Sequence, residues 1–119
     1  MMELNKCDIV AINLNPKKGD EVGKIRPCVI ISDDDSNKIL DTIIVLPLST
    51  QLIDDMLPFR MRLKKRDNLK FDSDVLLNHI RTISKIRVTS KIAKITKEEY
   101  NEIIKNLCKN FEEIKWKKY

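Results

Sequence analysis

Glycine is scarce in this sequence, and long apolar runs are missing from it. Only 2 of the 119 residues are glycine, which excludes the glycine-rich phosphate loops of nucleotide-binding folds. No apolar run reaches about 18 residues, so the sequence predicts no membrane-spanning helix. The amino terminus also lacks the apolar core and the small-residue cleavage site of a secretory signal. We therefore expect a cytoplasmic protein.

Cysteine and histidine are too few and too far apart to form a metal-binding pattern. Cys7, Cys28 and Cys108 are widely spaced, and His79 is the only histidine. A structural zinc site needs four ligands, usually in close pairs, so we expect no metal and no other cofactor. We interpret the cysteines as small buried hydrophobic residues in a reducing compartment. Cys28 lies in a strand-like apolar run, which disfavours papain-like catalysis.

Charge is what the sequence has in excess. Charged residues make up 34% of the chain, and 23 Lys and Arg residues face 18 Asp and Glu residues, for a net charge of +5. This balance favours an anionic partner. With 42% hydrophobic residues over this length, we predict a single domain covering residues 1–119.

Short apolar or alternating runs predict β-strands through most of the chain. The predicted strands are 8–14, 26–32, 42–48, 59–63, 74–81 and 90–95, with Pro47 ending or bulging the third. A turn is predicted at 33–37 and one turn of helix at 82–87. In the fourth strand, alternation buries Phe59, Met61 and Leu63 and exposes a basic face.

The carboxyl-terminal part changes to a helical period. Thr96 and Glu99 have the spacing of a capping box, which marks a helix start. Apolar residues then recur at positions 100, 103, 104, 107, 108, 111 and 114, which predicts an amphipathic helix of roughly five turns. We therefore predict a mainly β fold with α (α+β), in which five to seven strands form a small twisted sheet or barrel that this helix closes or covers.

Four segments in one order carry a family resemblance: NLNPKKGDEVGKIRPCVIIS, TIIVLPLST, LPFRMRL and DSDVLLNHIRTISKIRVTSKIAKIT. Together they resemble the MazF/PemK family of toxin endoribonucleases over nearly the whole chain. The resemblance implies an SH3-like (CcdB/PemK-type) barrel, a homodimer, and metal-independent cleavage of single-stranded RNA, chiefly messenger RNA. It implies 2′,3′-cyclic phosphate and 5′-hydroxyl ends, inhibited translation, and a cognate antitoxin whose acidic tail blocks the RNA groove.

Two residues stand out as catalytic candidates beside this resemblance. Arg26 opens an apolar strand directly after a polar loop, where Pro27 helps to fix a guanidinium that can fork onto a phosphate. The resemblance gives Arg26 the role of stabilising the charged phosphorane. It also places a phosphate-binding hydroxyl at Ser49. The alternative is that Ser49 and Thr50 are turn residues that bond their own backbone.

The general base is left open by a departure from the family pattern. Family members commonly carry an acidic residue and then Gln before the (I/V)RT segment, where this chain has Asn78 and His79. Asn78 cannot accept a proton as a carboxylate does. Glu21, which matches the family's G-x-E segment, is one candidate. His79 has a suitable pKa range, but strand alternation points it away from the face of Asn78, as a core or interface histidine would be.

Basic and polar side chains are predicted to line the RNA groove. They are Lys17, Lys18, Lys24, Thr50, Arg60, Arg62, Asn78 and Arg81. A charge run can also be simply a solvated face, and with aromatics at 5% no base stacking is assigned. Two alternatives stay open: a catalytically weakened RNA-binding relative, which Asn78 favours, and a CcdB-like gyrase-inhibiting toxin, which Arg26 and the hydroxyl pair disfavour.

Overall fold

The computed structural model describes residues 2–14 and 24–112. Within them lie seven strands, two α-helices and two single-turn 3₁₀ helices. The strands are β1 (Asp8–Asn13), β2 (Ile25–Ile30), β3 (Thr42–Ser49), β4 (Arg60–Leu63), β5 (Ser73–Leu76), β6 (Arg81–Ser84) and β7 (Val88–Lys94). The helices are α1 (Asp34–Ile39) and α2 (Lys97–Lys109), and the 3₁₀ turns are Leu77–His79 and Lys85–Arg87.

All strand pairs are antiparallel, and the sheet runs in the order β4-β5-β3-β2-β1-β7. Strand β3 divides its outer edge between two partners, because its first half pairs with β6 and its end pairs with β5. A hydrogen bond of 3.2 Å from the Asn68 N–H to the Ile92 carbonyl links the β4–β5 hairpin to β7. The edge strands β4 and β7 do not pair with each other within the described residues.

Two groups of buried side chains fill the two faces of the central strands. One lies under α2 and contains Ile9, Val29, Leu46 and Ile103. The other, on the opposite face, contains Val10 and further residues of β1, β2, β3 and β6. Central strands buried on both faces read as nearly continuous apolar runs. Each fully buried Ile or Leu contributes about 1.5–3 kcal/mol to the stability of the fold. The predicted mainly β fold with a carboxyl-terminal helix is confirmed.

Helix α2 begins with the predicted capping box. The Glu99 N–H donates to Thr96 Oγ1 at 3.0 Å, and the Thr96 N–H donates to Glu99 Oε1 at 2.8 Å. Arg66 adds a bond of 2.8 Å from Nη2 to Glu99 Oε2, which ties the helix to the β4–β5 hairpin. The helix ends at Lys109, after 13 residues, so the prediction of five turns is too long. Its last predicted apolar position, 114, lies outside the described residues.

The predicted turn at 33–37 is wrong, because this segment begins helix α1. Asp33 is its N-cap and accepts a hydrogen bond of 2.9 Å from the Ser36 N–H. Asp34 and Asp35 occupy the first turn, where negative charge is favourable against the helix dipole. A polar cluster that reads as a loop is therefore an acidic helix start.

The predicted strand at 74–81 is also wrong, since it is divided by a 3₁₀ turn. Strand β5 ends at Leu76 and β6 begins at Arg81. Leu76 and Leu77 are both buried, although neighbours in a half-buried strand would face opposite ways. The helical turn predicted at 82–87 is confined to Lys85–Arg87.

Three smaller expectations also need correction. Strand β3 continues past Pro47 to Ser49, because Pro47 falls between the residues that pair with β6 and those that pair with β5, where no amide is needed. Phe59 precedes β4 and is 48% exposed rather than buried. Of the cysteines, Cys28 is buried, Cys7 is half-buried and Cys108 is exposed. No helix in the described part of the chain is long and apolar enough to cross a membrane.

Candidate nucleic-acid interface

Arg26 lies at the start of β2, inside the sheet. Its Cα partner on β1 is Ile12, and the end of its strand, Cys28–Ile30, is fully buried. Because β2 is paired with β1 and β3 and anchored by this buried end, the backbone of Arg26 has a fixed position. The Arg26 side chain is half-buried, as expected for a guanidinium held at a protein surface and not freely solvated.

A cavity of about 390 Å³ lies beside Arg26, and we call it the basic cavity. It is lined by Leu14, Lys24, Arg26, Pro47, Leu76, His79 and Arg81. The end of β1, the start of β2, the 3₁₀ turn after β5 and the start of β6 all contribute. Three cationic side chains and the histidine face this space, and its described lining contains no carboxylate. Such a lining is suited to an anion.

The charges of the basic cavity are not neutralised by neighbours in the described structure. Among residues 2–14 and 24–112, no carboxylate lies within ion-pair distance of Lys24, Arg26 or Arg81. Arg81 donates from Nη2 to the Leu14 carbonyl at 3.4 Å, which orients the guanidinium without cancelling its charge. The cavity therefore presents oriented positive charge.

Cys28 follows Arg26 by two residues on the same face of β2. Burial raises the pKa of its thiol to about 12, although the charges of Arg81 and Arg26 lower it. The thiol is protonated near neutral pH and is no nucleophile there.

Ser49 is the last residue of β3, two residues after Pro47, which lines the basic cavity. The β2–β3 ladder ends at the pair Cys28 and Pro47, and Ser49 lies two residues beyond it, where β3 pairs with β5. Ser49 is on the face of β3 that Pro47 presents to the cavity, because strand side chains alternate. The Ser49 hydroxyl accepts a hydrogen bond of 3.1 Å from the Gln51 N–H.

Thr50 is turned away from this site. It lines a different cavity of about 470 Å³, together with Lys65, Lys70 and Phe71. The two hydroxyls that are adjacent in sequence therefore lie on different surfaces, and that of Ser49 is on the strand face shared by Pro47 and Cys28.

The 3₁₀ turn after β5 changes the position of His79. Strand alternation predicts His79 away from the site, but the chain turns at Leu77, and His79 joins Arg26 in the basic cavity. Asn78 is exposed and is not part of that lining. Sequence reasoning missed this placement because its signal, two adjacent buried leucines at 76 and 77, is indistinguishable from an apolar strand.

Arg60 and Arg62 are engaged with a buried carboxylate that sequence reasoning did not single out. Arg62 Nε donates to Asp74 Oδ1 at 2.6 Å, and Arg60 Nη1 donates to Asp74 Oδ2 at 3.1 Å. Arg62 Nη2 also pairs with Asp54 at 2.8 Å. The Asp74 side chain is 1% exposed. We call Arg60, Arg62 and Asp74 the arginine–aspartate cluster.

The hydrogen bonds of this cluster favour the charged forms of Asp74 and Arg62. Burial by itself raises the pKa of Asp74, but hydrogen bonds from Arg62, the Ile53 N–H and Arg60 outweigh burial and lower the pKa below its ordinary value. Hydrogen bonds to Asp74 and Asp54 in turn raise the pKa of Arg62. Both arginines remain predicted RNA ligands, but each already has an anionic partner.

The remaining predicted site residues lie outside the described residues. They are Lys17, Lys18 and Glu21, all in the segment between β1 and β2. Among residues 2–14 and 24–112, no three His, Cys, Asp or Glu side chains are arranged so that they could hold a metal ion. The chemistry available in the described site is therefore that of two guanidiniums, an ammonium, an imidazole and a hydroxyl.

Comparison with known families gives one match over most of the chain. Residues 5–111 match the family described as PemK-like, MazF-like toxin of type II toxin–antitoxin system. A curated relative, Endoribonuclease MazF of Staphylococcus saprophyticus, is 32% identical over 101 residues, which cover 84% of each chain.

Solved structures of low sequence identity share the fold. The MazE–MazF structure (Form-II) from Deinococcus radiodurans has a TM-score of 0.79 at 19% identity, covering 93% of this chain and 97% of its own. The Mycobacterium tuberculosis toxin MazF-mt6 has a TM-score of 0.73 at 17% identity, covering 87% and 95%. A mycobacterial endoribonuclease solved with its cognate antitoxin has a TM-score of 0.71 at 18% identity, covering 93% and 95%.

Proposed function

The chain belongs to the PemK-like, MazF-like toxins of type II toxin–antitoxin systems, and on this basis we propose that it is an endoribonuclease that cleaves single-stranded RNA. The observation that carries the proposal is the basic cavity, where Lys24, Arg26 and Arg81 meet without a carboxylate in the described lining. A phosphodiester is an anion of the size and charge that this lining accepts. Messenger RNA in the cytoplasm is the expected substrate, and inhibited translation is the expected consequence.

The reaction that fits these side chains is an internal phosphoryl transfer. The 2′ oxygen attacks the adjacent phosphorus and gives up its proton, the bond from phosphorus to the 5′ oxygen breaks, and that oxygen takes up a proton. The products are a 2′,3′-cyclic phosphate and a 5′ hydroxyl. This sequence of bond changes needs a proton acceptor, a proton donor and stabilisation of charge, and no metal ion takes part.

Arg26 and Ser49 supply the stabilisation in this scheme. The Arg26 guanidinium donates two parallel hydrogen bonds to the oxygens on which charge accumulates, and its fixed strand backbone lets it do so without reorganisation. The Ser49 hydroxyl donates to the scissile phosphate from the neighbouring strand. Arg81 and Lys24 add positive charge on the flanks of the same cavity.

His79 is the described side chain best placed to move a proton. It lines the basic cavity with Arg26, and an imidazole can both accept and donate a proton. Glu21 remains the other candidate for the proton acceptor. Asn78, where family members commonly carry an acid, is assigned to RNA binding along with Thr50, Lys17 and Lys18. Arg60 and Arg62 would bind RNA only if it displaced their carboxylate partners, Asp74 and Asp54.

A cognate antitoxin with an acidic segment is the expected protein partner. Carboxylates of such a segment would compete with RNA phosphates for the uncompensated cations of the basic cavity, and occupation of the cavity would inhibit cleavage. The relatives include MazE–MazF assemblies, which supports a partner of this kind. We also propose that the chain acts as a homodimer.

The test is incubation of the purified protein with a long single-stranded RNA in the presence of EDTA. We expect discrete fragments that end in 2′,3′-cyclic phosphate, and we expect Arg26→Ala to reduce the cleavage rate about 10²–10³-fold, the usual cost of losing one preorganised donor to a developing anion. Lys105→Ala, which removes an exposed positive charge on α2, is the matched control and should cleave normally.

The alternatives give different outcomes in this assay and in a parallel one that contains supercoiled DNA, gyrase and Mg²⁺. Tight RNA binding without fragments would identify a catalytically weakened RNA-binding relative. DNA breaks that depend on gyrase, with RNA left intact, would identify a gyrase-inhibiting toxin. Cleavage that disappears with EDTA would contradict the metal-independent reaction.

A further inference from the structure

The geometry points to Asp74 as a positioning residue that holds Ser49 and the five residues after it in the conformation needed for RNA cleavage. This inference rests on the proposed function, because it assigns Ser49 to the scissile phosphate. Asp74 contacts neither the basic cavity nor Ser49 through its side chain. Its effect would pass through the segment Thr50–Asp54, which we call the post-β3 corner.

The first observation is where Asp74 lies. Its Cα partner across the β3–β5 ladder is Ser49 itself, the last residue of β3. The carboxylate is 1% exposed in a part of β5 where the neighbouring residues are also buried. A buried carboxylate is costly unless it is fully hydrogen-bonded, so its partners are held firmly.

The second observation is what Asp74 holds. Its Oδ2 accepts a hydrogen bond of 3.0 Å from the Ile53 N–H, within the post-β3 corner. The same oxygen accepts from Arg60 Nη1, and that nitrogen also donates to the Gln51 carbonyl at 2.9 Å. One carboxylate oxygen therefore fixes two points of the corner, directly at Ile53 and through Arg60 at Gln51.

The third observation connects the corner to Ser49. The Gln51 N–H donates to Ser49 Oγ at 3.1 Å. Because Gln51 belongs to the post-β3 corner, displacement of the corner would move its N–H away from the Ser49 hydroxyl that it orients. Arg62 adds a third anchor, because it joins Asp74 at 2.6 Å to Asp54 at 2.8 Å. The hydrogen bonds that the structure records for residues 51–54 are four: Gln51 N–H to Ser49, Ile53 N–H to Asp74, Arg60 to the Gln51 carbonyl, and Arg62 to Asp54.

The alternative is that the arginine–aspartate cluster only stabilises the fold. A structural role and a positioning role both predict a lower melting temperature when Asp74 is changed. They differ in kcat at a temperature where the variant is fully folded, and in whether the effect depends on Ser49. A test therefore has to measure turnover in two backgrounds.

The experiment compares Asp74→Asn in the full-length protein with and without Ser49→Ala. We expect Asp74→Asn to lower kcat at least tenfold, with KM changed less than threefold, at a temperature where circular dichroism shows the folded state. In the Ser49→Ala background, Asp74→Asn should lower kcat less than twofold further, because residues that act as one unit are not additive. Asp41→Asn, an exposed aspartate before β3, is the matched control and should leave kcat unchanged.

Two results would overturn the inference. One is a kcat within twofold of the unaltered protein for Asp74→Asn. The other is an equal loss in both backgrounds, which would show that Asp74 does not act through Ser49. Hydrogen exchange provides a readout that does not require cleavage, since Asp74→Ala should accelerate exchange of the Ile53 and Gln51 amides and protection equal to that of the unaltered protein would refute the inference.

Failure of the proposed function would be recognised separately. If the unaltered protein cleaves no RNA, the endoribonuclease proposal fails and so does the catalytic part of this inference. The exchange measurement would still decide whether Asp74 holds the post-β3 corner.

Discussion

Two pairs of arginines lie on strands of the same antiparallel sheet but have opposite electrostatic surroundings. Arg26 and Arg81 line the basic cavity, with no carboxylate partner in the described structure. Arg60 and Arg62 share Asp74, which is 1% exposed, and Arg62 reaches Asp54 as well. The difference between the pairs is not the number of cations but whether a fixed anion lies within reach.

The comparison separates two uses of a guanidinium. An arginine beside a fixed carboxylate donates its hydrogen bonds within the protein and holds the neighbouring chain in place. An arginine held by its backbone but left without an anion keeps that geometry for a ligand. By this criterion the basic cavity is the stronger candidate for phosphate, and the arginine–aspartate cluster supports the neighbouring corner.

Removal of the shared carboxylate should have the largest effect on stability. We expect Asp74→Ala to lower the free energy of unfolding by about 3 kcal/mol at pH 7, because it leaves two arginines and a backbone amide without their partner. Arg81→Ala should change it by less than about 0.5 kcal/mol, since Arg81 has no ion-pair partner among residues 2–14 and 24–112. Urea unfolding followed by circular dichroism measures both, and equal losses would remove the distinction between the pairs.

Acid should abolish the stability that Asp74 contributes, because protonation removes the charge of its carboxylate. The folded-state pKa of Asp74 is lowered, so its contribution to stability is complete above the unfolded-state pKa of about 3.9 and is lost as pH falls through the folded-state pKa. The gap in unfolding free energy between the unaltered protein and Asp74→Ala should therefore be constant near neutral pH and close in acid. A gap that persists at the lowest pH would assign the loss to packing instead of charge.

The sequence predicted the class of fold because the short, nearly continuous apolar runs at 26–32 and 42–48 and the Thr96–Glu99 box are local signals. It could not predict the break at Leu77–His79, since two adjacent buried leucines satisfy a strand and a turn equally well at that level. His79 therefore seemed to point away from the site, although it lines the basic cavity.

Pairing across strands was equally hidden. The spacing of Arg60 and Arg62 shows that both lie on one face of β4, and that part of the prediction is local. Their counterion is Asp74, and its position opposite them depends on the β4–β5 register, in which Arg62 and Asp74 are Cα partners. The sequence therefore shows which residues are cationic, but only the strand register shows which of them have a carboxylate partner.

A carboxylate placed in the basic cavity should make it resemble the arginine–aspartate cluster, in which a fixed anion neutralises the cations. His79→Asp puts an anion among Lys24, Arg26 and Arg81, and we expect it to weaken RNA binding about tenfold relative to His79→Asn, which removes the imidazole without adding charge. Fluorescence anisotropy with a 2′-deoxy-substituted, uncleavable oligonucleotide measures binding alone. Equal affinities of the two variants would mean that the phosphate does not enter this cavity.

The smallest effect, and the one most specific to phosphate contact, is the salt dependence of binding. Each phosphate neutralised by a protein cation in a single strand contributes about 0.7 to the slope of log K against log salt concentration. Arg81→Ala should therefore lower the magnitude of that slope by about 0.7, whereas Arg62→Ala should leave it unchanged, because Arg62 is already neutralised by Asp74 and Asp54. A lower slope for Arg62→Ala would show that RNA displaces these carboxylates, and the arginine–aspartate cluster would then belong to the binding surface after all.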